Sequence, residues 1–203
     1  MAVSIQTRLP TEERQAAIVA AALNLAIDAS PAQITTAAIA DAVGITQGAV
    51  FKHFPTKEAI WLAAMKWVRE QLLASLTQAA ESQPSPMDAL GAVFRAHVDF
   101  VVRHPGVPRF IFHELQQPAD SEAKQEVRGV LQAYRKLLLG ILEQAERQHL
   151  VAPELDREAA ATLFVGIVQG LVMQAMLSGK PALMRAQAER VFALYLRGIG
   201  EVP

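Results

Sequence analysis

The chain has 203 residues, 52% of them hydrophobic, a formal net charge of −1 at pH 7 and no cysteine. Its length and apolar content allow one large or two small domains with a sizeable core, and the lack of cysteine excludes disulfides and thiolate metal sites. The near-neutral net charge does not by itself indicate nucleic-acid binding, so such binding would have to depend on a local positively charged segment.

The first predicted helix runs from Thr11 to Ala29. Apolar residues recur along it at helical spacing, and acidic residues crowd its first turn, where they complement the helix dipole. We expect Thr11, which follows Pro10, to cap the start of this helix. Ser30 and Pro31 should end it, because the residue before a proline disfavours the helical conformation.

The segment from Thr35 to Lys57 predicts two short helices joined by a tight turn. Gly44 breaks the apolar pattern of the first helix, as a residue free to take a positive φ would. Thr46 is placed to cap the second helix, which should run from Gln47 to His53. This is the helix-turn-helix arrangement, whose second helix can lie in a DNA major groove. On spacing alone, an ordinary helical hairpin with solvated polar residues is the alternative.

This segment resembles the DNA-binding domain of TetR-family transcriptional regulators. The residues that carry the resemblance are Ile39 to Ile45, Gln47 to Phe54, and the pair Lys57 and Glu58. The resemblance is specific over roughly residues 11–60 and is architectural beyond them. It implies an all-α protein with a three-helix DNA-binding domain at 1–56. A helical bundle for ligand sensing and dimerisation would follow at 57–203, entered through a long helix at 57–80.

The resemblance places DNA contacts on the second helix of the motif and beside it. In the family the aromatic at the Phe51 position is often a tyrosine whose hydroxyl contacts phosphate; Phe51 lacks that hydroxyl and can touch a thymine methyl or a sugar instead. The predicted DNA-binding residues are Thr35, Thr36, Thr46, Gln47, Gly48, Phe51, Lys52, His53 and Lys57. For Thr35 and Thr36 helix capping is the alternative to a phosphate contact, and for Lys57 a solvated side chain is the alternative.

The remaining elements are also predicted helices. Breaks rich in proline, glycine or serine lie at 82–86, 104–108, 118–121, 151–153 and 179–181. The helices between them are expected at 57–80, 87–103, 109–116, 122–148, 157–177 and 182–199. Thr56 and Asp156 are placed to cap the first and the fifth of these. No stretch alternates apolar and polar residues at period two, so strands are not expected.

The C-terminal helices carry aromatic, methionine and a few polar residues on stretches that should face one interior space. In the resembled family the corresponding domain encloses a small-molecule pocket, and such side chains line most ligand sites. The predicted lining is Phe94, His97, Phe112, His113, Tyr134, Gln169 and Met173. Plain core is the alternative for each apolar residue, and a bond to a backbone carbonyl is the alternative for each polar one.

The last two helices are apolar on more than one face. The apolar run at 159–176 is interrupted by Gln169, Gln174 and two glycines, which argues for a buried helix and against a membrane span. In the resembled family these two helices pair with their copies in a four-helix dimer interface; packing within one chain is the alternative. The predicted interface residues are Gly166, Gly170, Val191, Phe192 and Tyr195.

No catalytic or metal-binding pattern is found in the sequence. It has no glycine-rich phosphate loop and no nucleophile elbow, and no two of His97, His104 and His113 stand at the i and i+4 spacing that places metal ligands on one helix face. Together with these absences, the family resemblance implies a cytoplasmic, homodimeric regulator without cofactor, enzymatic activity or membrane partner. It should bind a palindromic double-stranded operator as a repressor and be released by a small-molecule effector. A helical ligand-binding or enzymatic bundle without a DNA-binding role is the alternative.

Overall fold

The computed structural model describes residues 10–180 and 183–200, and within these ranges the chain forms nine α-helices and no strand. The helices are α1 (Thr11–Leu25), α2 (Thr36–Val43), α3 (Gln47–Phe51), α4 (Lys57–Glu81), α5 (Pro86–Arg103), α6 (Gly106–Gln116), α7 (Glu122–Arg147), α8 (Arg157–Ser178) and α9 (Leu183–Ile199). The prediction of an all-α protein is therefore confirmed.

Side-chain caps begin several helices where the sequence predicts them. The hydroxyls of Thr46 and Thr56 each accept a bond from the backbone N–H three residues later, at 3.2 Å, and a carboxylate oxygen of Asp156 does the same at 3.0 Å. The cap predicted at Thr11 is wrong. Pro10 occupies the cap position without a side-chain bond, and its carbonyl already accepts a bond from Arg14, so Thr11 is the first helical residue.

Helix boundaries differ from the prediction by two residues or more at three places. α1 ends at Leu25, and the chain continues to residue 29 as hydrogen-bonded turns instead of regular helix. α3 ends at Phe51, two residues earlier than predicted. α6 begins at Gly106, three residues before the predicted start, because Pro108 lies in the first turn, where the missing N–H costs no helical bond.

α4 is the central helix of the molecule. It packs against α1 near its start and against α5 and α7 along its length, and its buried residues include Ile60, Trp61 and Leu76. The indole of Trp61 stacks on the ring of Phe110 from α6, with the ring centroids 4.8 Å apart. Helices α1–α3 and helices α5–α9 therefore share one continuous core through α4 and α6.

The start of α6 also makes a close backbone contact with α1. An added Cβ on Gly106 would lie only 1.9 Å from the carbonyl oxygen of Leu23 and 3.3 Å from the backbone nitrogen of Ile27. Only glycine permits this approach of two backbones. The contact fixes the position of the N-terminal helices against the C-terminal bundle.

Candidate nucleic-acid interface and associated surfaces

The turn between α2 and α3 positions the second helix of the motif. Gly44 takes the left-handed conformation, with φ +73° and ψ 36°, as the sequence predicts. Beyond it the N–H of Ile45 bonds to the carbonyl of Ala40 at 3.0 Å, which closes the end of α2. Ile39 and Val50 are fully buried where the two helices pack together. The relative placement of α2 and α3 is thus fixed by backbone bonds and by core packing.

The residues predicted to bind DNA lie at the surface around α3. Gln47, Gly48 and Phe51 are exposed, and the aromatic side chain of Phe51 leaves 45% of its surface open to solvent. Thr35, Thr46 and Lys52 are also exposed, whereas Thr36, His53 and Lys57 are partly buried. No carboxylate occurs between residues 44 and 57. This segment therefore adds no negative charge of its own that would repel a phosphate backbone.

Two hydrogen bonds connect the N-terminal ends of α2 and α3. The hydroxyl of Thr35 accepts a bond from the backbone N–H of Ala38 at 3.1 Å and so caps α2. The side-chain amide of Gln47 donates to the hydroxyl of Thr36 at 2.7 Å and bridges the two helices. Capping is therefore the observed role of Thr35, whereas Thr36 holds the side chain of Gln47 on α3, the helix predicted to enter the major groove.

Lys57 begins α4 beside this surface. Its ammonium donates to the backbone carbonyl of Ala32 at 3.0 Å, and partial burial lowers its pKa, an effect that nearby Glu58 partly offsets. An ammonium has three donors, so two are left for a phosphate.

Gln15 of α1 is a supporting residue that sequence reasoning missed. Its side-chain amide donates to the carbonyl of His53 at 3.3 Å and so ties the segment just after α3 to α1.

The interior of the C-terminal bundle is a cluster of aromatic rings. Phe94 stacks on Phe192 with centroids 4.7 Å apart, and the edges of Phe164 meet Phe94 and Tyr195 at 5.4 Å each. Tyr134 approaches Phe164 at 6.2 Å. These rings are buried. A ligand at this place therefore requires some of the rings to move apart.

The structure brings only part of the predicted effector site together. His97 and Tyr134 form a hydrogen bond of 3.2 Å at the edge of the aromatic cluster that includes Phe94. Phe112 and His113 are partly buried on α6. Gln169 and Met173 instead lie on the outer side of α8, because the buried side of that helix is formed by Phe164, Val168, Leu171 and Val172. Those two residues do not face the interior, contrary to the prediction.

His97 should make the stability of the protein depend on pH. Burial lowers its pKa to about 4, whereas an unfolded histidine titrates near 6.5. Below about pH 6.5 the histidine of the unfolded chain binds a proton, whereas the buried imidazole of the native protein stays neutral. Its contribution to stability is therefore fully present above that pH and is lost as the pH falls towards 4. We expect the free energy of unfolding to drop by about 2 kcal/mol per protomer between about pH 7.5 and about pH 5.

Urea denaturation of the wild type and of His97→Asn at both pH values measures this effect. Asparagine keeps an acceptor for the Tyr134 hydroxyl but does not titrate. The partly buried His104, whose pKa is also lowered by burial and by Arg103, contributes in the same direction in both proteins and cancels in the comparison. An equal pH dependence in the two proteins would show that His97 is not held neutral by burial.

A surface of small and apolar residues covers the outer side of α8 and α9. We call this surface the α8–α9 face and define it by Leu163, Gly166, Gly170, Met173, Leu177 and Leu194, all of which are exposed. Leu177 leaves 81% of its surface open and Leu194 leaves 59%. An added Cβ at either glycine would have no atom within 4 Å. Two predicted interface residues, Gly166 and Gly170, are thus on a surface that a second copy can reach.

Phe192 and Tyr195 do not belong to that surface. Both are buried within the protomer, where their rings stack with centroids 5.9 Å apart and the hydroxyl of Tyr195 donates to the carbonyl of Ala160 at 3.3 Å. Val191 is partly buried. The prediction that Phe192 and Tyr195 meet a partner chain does not fit this burial, because their contact surface is already used inside the bundle.

The same apolar face explains another property of α8. By length and composition alone this helix could cross a bilayer, and the core helix of a protein without membrane spans can have the same length and composition. About a third of its most apolar stretch of 18 residues is buried within the protomer. Among the described residues, no group of three histidine, aspartate or glutamate side chains is placed to hold a metal ion.

Comparison with known proteins decides the family. Residues 18–64 match the profile of bacterial regulatory proteins of the tetR family, and residues 114–191 match that of tetracyclin repressor-like C-terminal domains. The chain belongs to the TetR family. It is therefore a DNA-binding transcriptional regulator, and the match at 18–64 covers the helix-turn-helix described above.

Relatives and solved structures agree with this family and its fold. The nucleoid occlusion factor SlmA of Shewanella pealeana is 23% identical over 149 residues, which cover 73% of this chain and 76% of that protein. A TetR regulator from Haloarcula marismortui has a TM-score of 0.81 at 16% identity, covering 94% of this chain and all of that one. FadR from Bacillus subtilis, solved in complex with stearoyl-CoA, has a TM-score of 0.74 at 21% identity, covering 91% and 98%.

Proposed function

We propose that the protein is a homodimeric repressor that binds a palindromic operator through α3 of each protomer and leaves it when a small molecule binds the C-terminal bundle. The observation that carries this proposal is the exposed side of α3, where Gln47, Gly48 and Phe51 lie on a capped and rigidly placed helix. Two-fold symmetry of the protein would match two half-sites of the DNA. Residues 1–56 would form the DNA-binding domain and residues 57–203 the sensing and dimerisation domain.

The dimer would form through the α8–α9 face. This surface is apolar and lacks a covering element within the described protomer. A four-helix contact of α8 and α9 with their copies would bury it, and exposed apolar surfaces of this kind mark interaction sites. In this proposal the protein acts in the cytoplasm, binds operator and effector without catalysing a reaction, and requires neither a cofactor nor a membrane.

The effector is proposed to be a small molecule with a long apolar portion. The aromatic cluster around Phe94 and Tyr134 offers stacking surface, and the pair of His97 and Tyr134 supplies a polar anchor at its edge. The stearoyl-CoA found in the Bacillus subtilis FadR complex supports this chemistry, since a fold of the same type accommodates a long acyl chain. Titrating acyl-CoA thioesters into the protein–operator complex tests the idea, and release of the duplex is the supporting outcome.

Selection of bound duplexes from a random pool tests the operator proposal. We expect a palindromic motif whose affinity falls steeply with added salt, because phosphate contacts release counterions. Lys57→Ala should weaken all duplexes alike and reduce the slope of log affinity against log salt by about 1 per half-site. Lys66→Ala, which removes an exposed lysine further along α4, is the matched control and should change neither. Recovery of no motif by the wild type would refute operator binding.

A further inference from the structure

Gln47 is not a free side chain at the start of α3. Its amide nitrogen donates to the hydroxyl of Thr36, the first residue of α2, across a distance of 2.7 Å. Both helices are capped at this end by the neighbouring threonines, Thr35 and Thr46, and the Gly44 turn fixes their relative position. The bond between Gln47 and Thr36 therefore joins two rigid points.

The bond restricts what the amide can present to DNA. A glutamine amide has two N–H donors and one oxygen acceptor, and Thr36 takes one of the donors. The oxygen and the second N–H are left. This pair matches adenine in the major groove, where N6 donates and N7 accepts. Guanine presents the O6 acceptor at the place of the adenine amino group, so it would face the amide oxygen without a hydrogen between them.

The hydroxyl of Thr36 can hold this orientation only if its own proton is used elsewhere. A hydroxyl has one proton to donate and lone pairs to accept. At the first turn of a helix, a DNA phosphate is a strong acceptor for that proton. When the Thr36 hydroxyl donates its hydrogen bond to a phosphate, its oxygen can only accept a bond from Gln47. The opposite orientation of the Gln47 amide, with its oxygen towards Thr36, is then excluded. The phosphate contact predicted for Thr36 and its bond to Gln47 thus reinforce each other.

We propose that Thr36 is a positioning residue that orients the Gln47 amide to read an adenine in each half-site of the operator. This inference rests on the proposed function, since it assumes that α3 enters the major groove. Fixing the amide before binding also lowers the entropy that a flexible glutamine would lose on contact with a base.

Duplex selection with four proteins tests the inference: wild type, Thr36→Val, Thr36→Ser and Gln47→Ala. Valine keeps the shape of threonine without the hydroxyl, and serine keeps the hydroxyl. We expect the wild type and Thr36→Ser to select adenine at one position per half-site and Gln47→Ala to lose that selection. Thr36→Val should lower the affinity ratio of adenine to guanine at that position by about fivefold, the usual range for one neutral hydrogen bond.

The double variant Thr36→Val/Gln47→Ala separates positioning from phosphate binding. In the Gln47→Ala background, Thr36→Val should weaken all duplexes equally and change no base preference. Thermal melting of each variant shows that the fold is kept, and Thr36→Ser provides the folded reference. A Thr36→Val protein that loses affinity uniformly, with its adenine preference intact, would overturn the inference while leaving operator binding in place. A wild type that selects no motif would overturn both.

Discussion

Gly106→Ala is expected to destabilise the protein by about 3 kcal/mol, the upper part of the range for overpacking a core. The added methyl group would lie 1.9 Å from the carbonyl oxygen of Leu23, closer than any two such atoms approach. The obstructing atoms are backbone, so no side chain can rotate away. Relief requires α1 to move away from α6, which disturbs the packing of the N-terminal helices on the rest of the molecule.

Gly140→Ala is the matched control for this substitution. Gly140 lies within α7, and an added Cβ there would have no atom within 4 Å. Alanine should stabilise that helix by about 0.5–1 kcal/mol, because it restricts the unfolded chain more than glycine does. Urea denaturation of both variants measures the difference. If Gly106→Ala unfolds at the wild-type urea concentration, the α1–α6 contact is looser than described.

The local features of the N-terminal segment could be predicted from the sequence because each depends on a few neighbouring residues. A threonine before a helical pattern offers its hydroxyl to the third N–H of the helix, as Thr46 and Thr56 do. A glycine after the last apolar residue of a short helix takes a positive φ, as Gly44 does. These interactions lie within a few residues, so the fold class and the candidate DNA-binding surface followed from pattern and family resemblance together.

The close contact at Gly106 could not be predicted in the same way. Gly106 and Leu23 are far apart in the chain, and nothing in the residues near Gly106 indicates that a second backbone lies against it. The same limit applies to the supporting bond from Gln15 to the carbonyl of His53. Both depend on how whole helices pack, which a local pattern does not describe.

The sequence pattern also could not predict which sides of α8 and α9 face the core. A helix that is apolar on several faces gives no periodicity from which to choose the inner one. Phe192 and Leu194 are two residues apart and equally apolar by type, yet Phe192 is 6% exposed and Leu194 is 59% exposed. The tertiary packing of α5 and α8 around the aromatic cluster decides the difference, because it takes Phe192 inside and leaves Leu194 outside.

Leu163→Glu tests whether the α8–α9 face is the dimer interface. Leu163 is 54% exposed in the protomer, so a glutamate there should leave the folded monomer nearly as stable as before. In a symmetric dimer each copy would bring its glutamate into the same apolar contact, and burying unpaired charge is costly. We expect the dimer dissociation constant to rise by about 100-fold or more, equivalent to about 2.7 kcal/mol.

Leu115→Glu is the control for this substitution. Leu115 is similarly exposed, at 46%, but it lies on α6, which packs on α1 and α7. Light scattering over a range of concentrations should show Leu163→Glu as a 22.0 kDa monomer at concentrations where the wild type and Leu115→Glu are dimers. Operator affinity should fall with the loss of the dimer, since a monomer holds only one half-site at a time. A dimeric Leu163→Glu protein with wild-type operator affinity would place the interface on another surface.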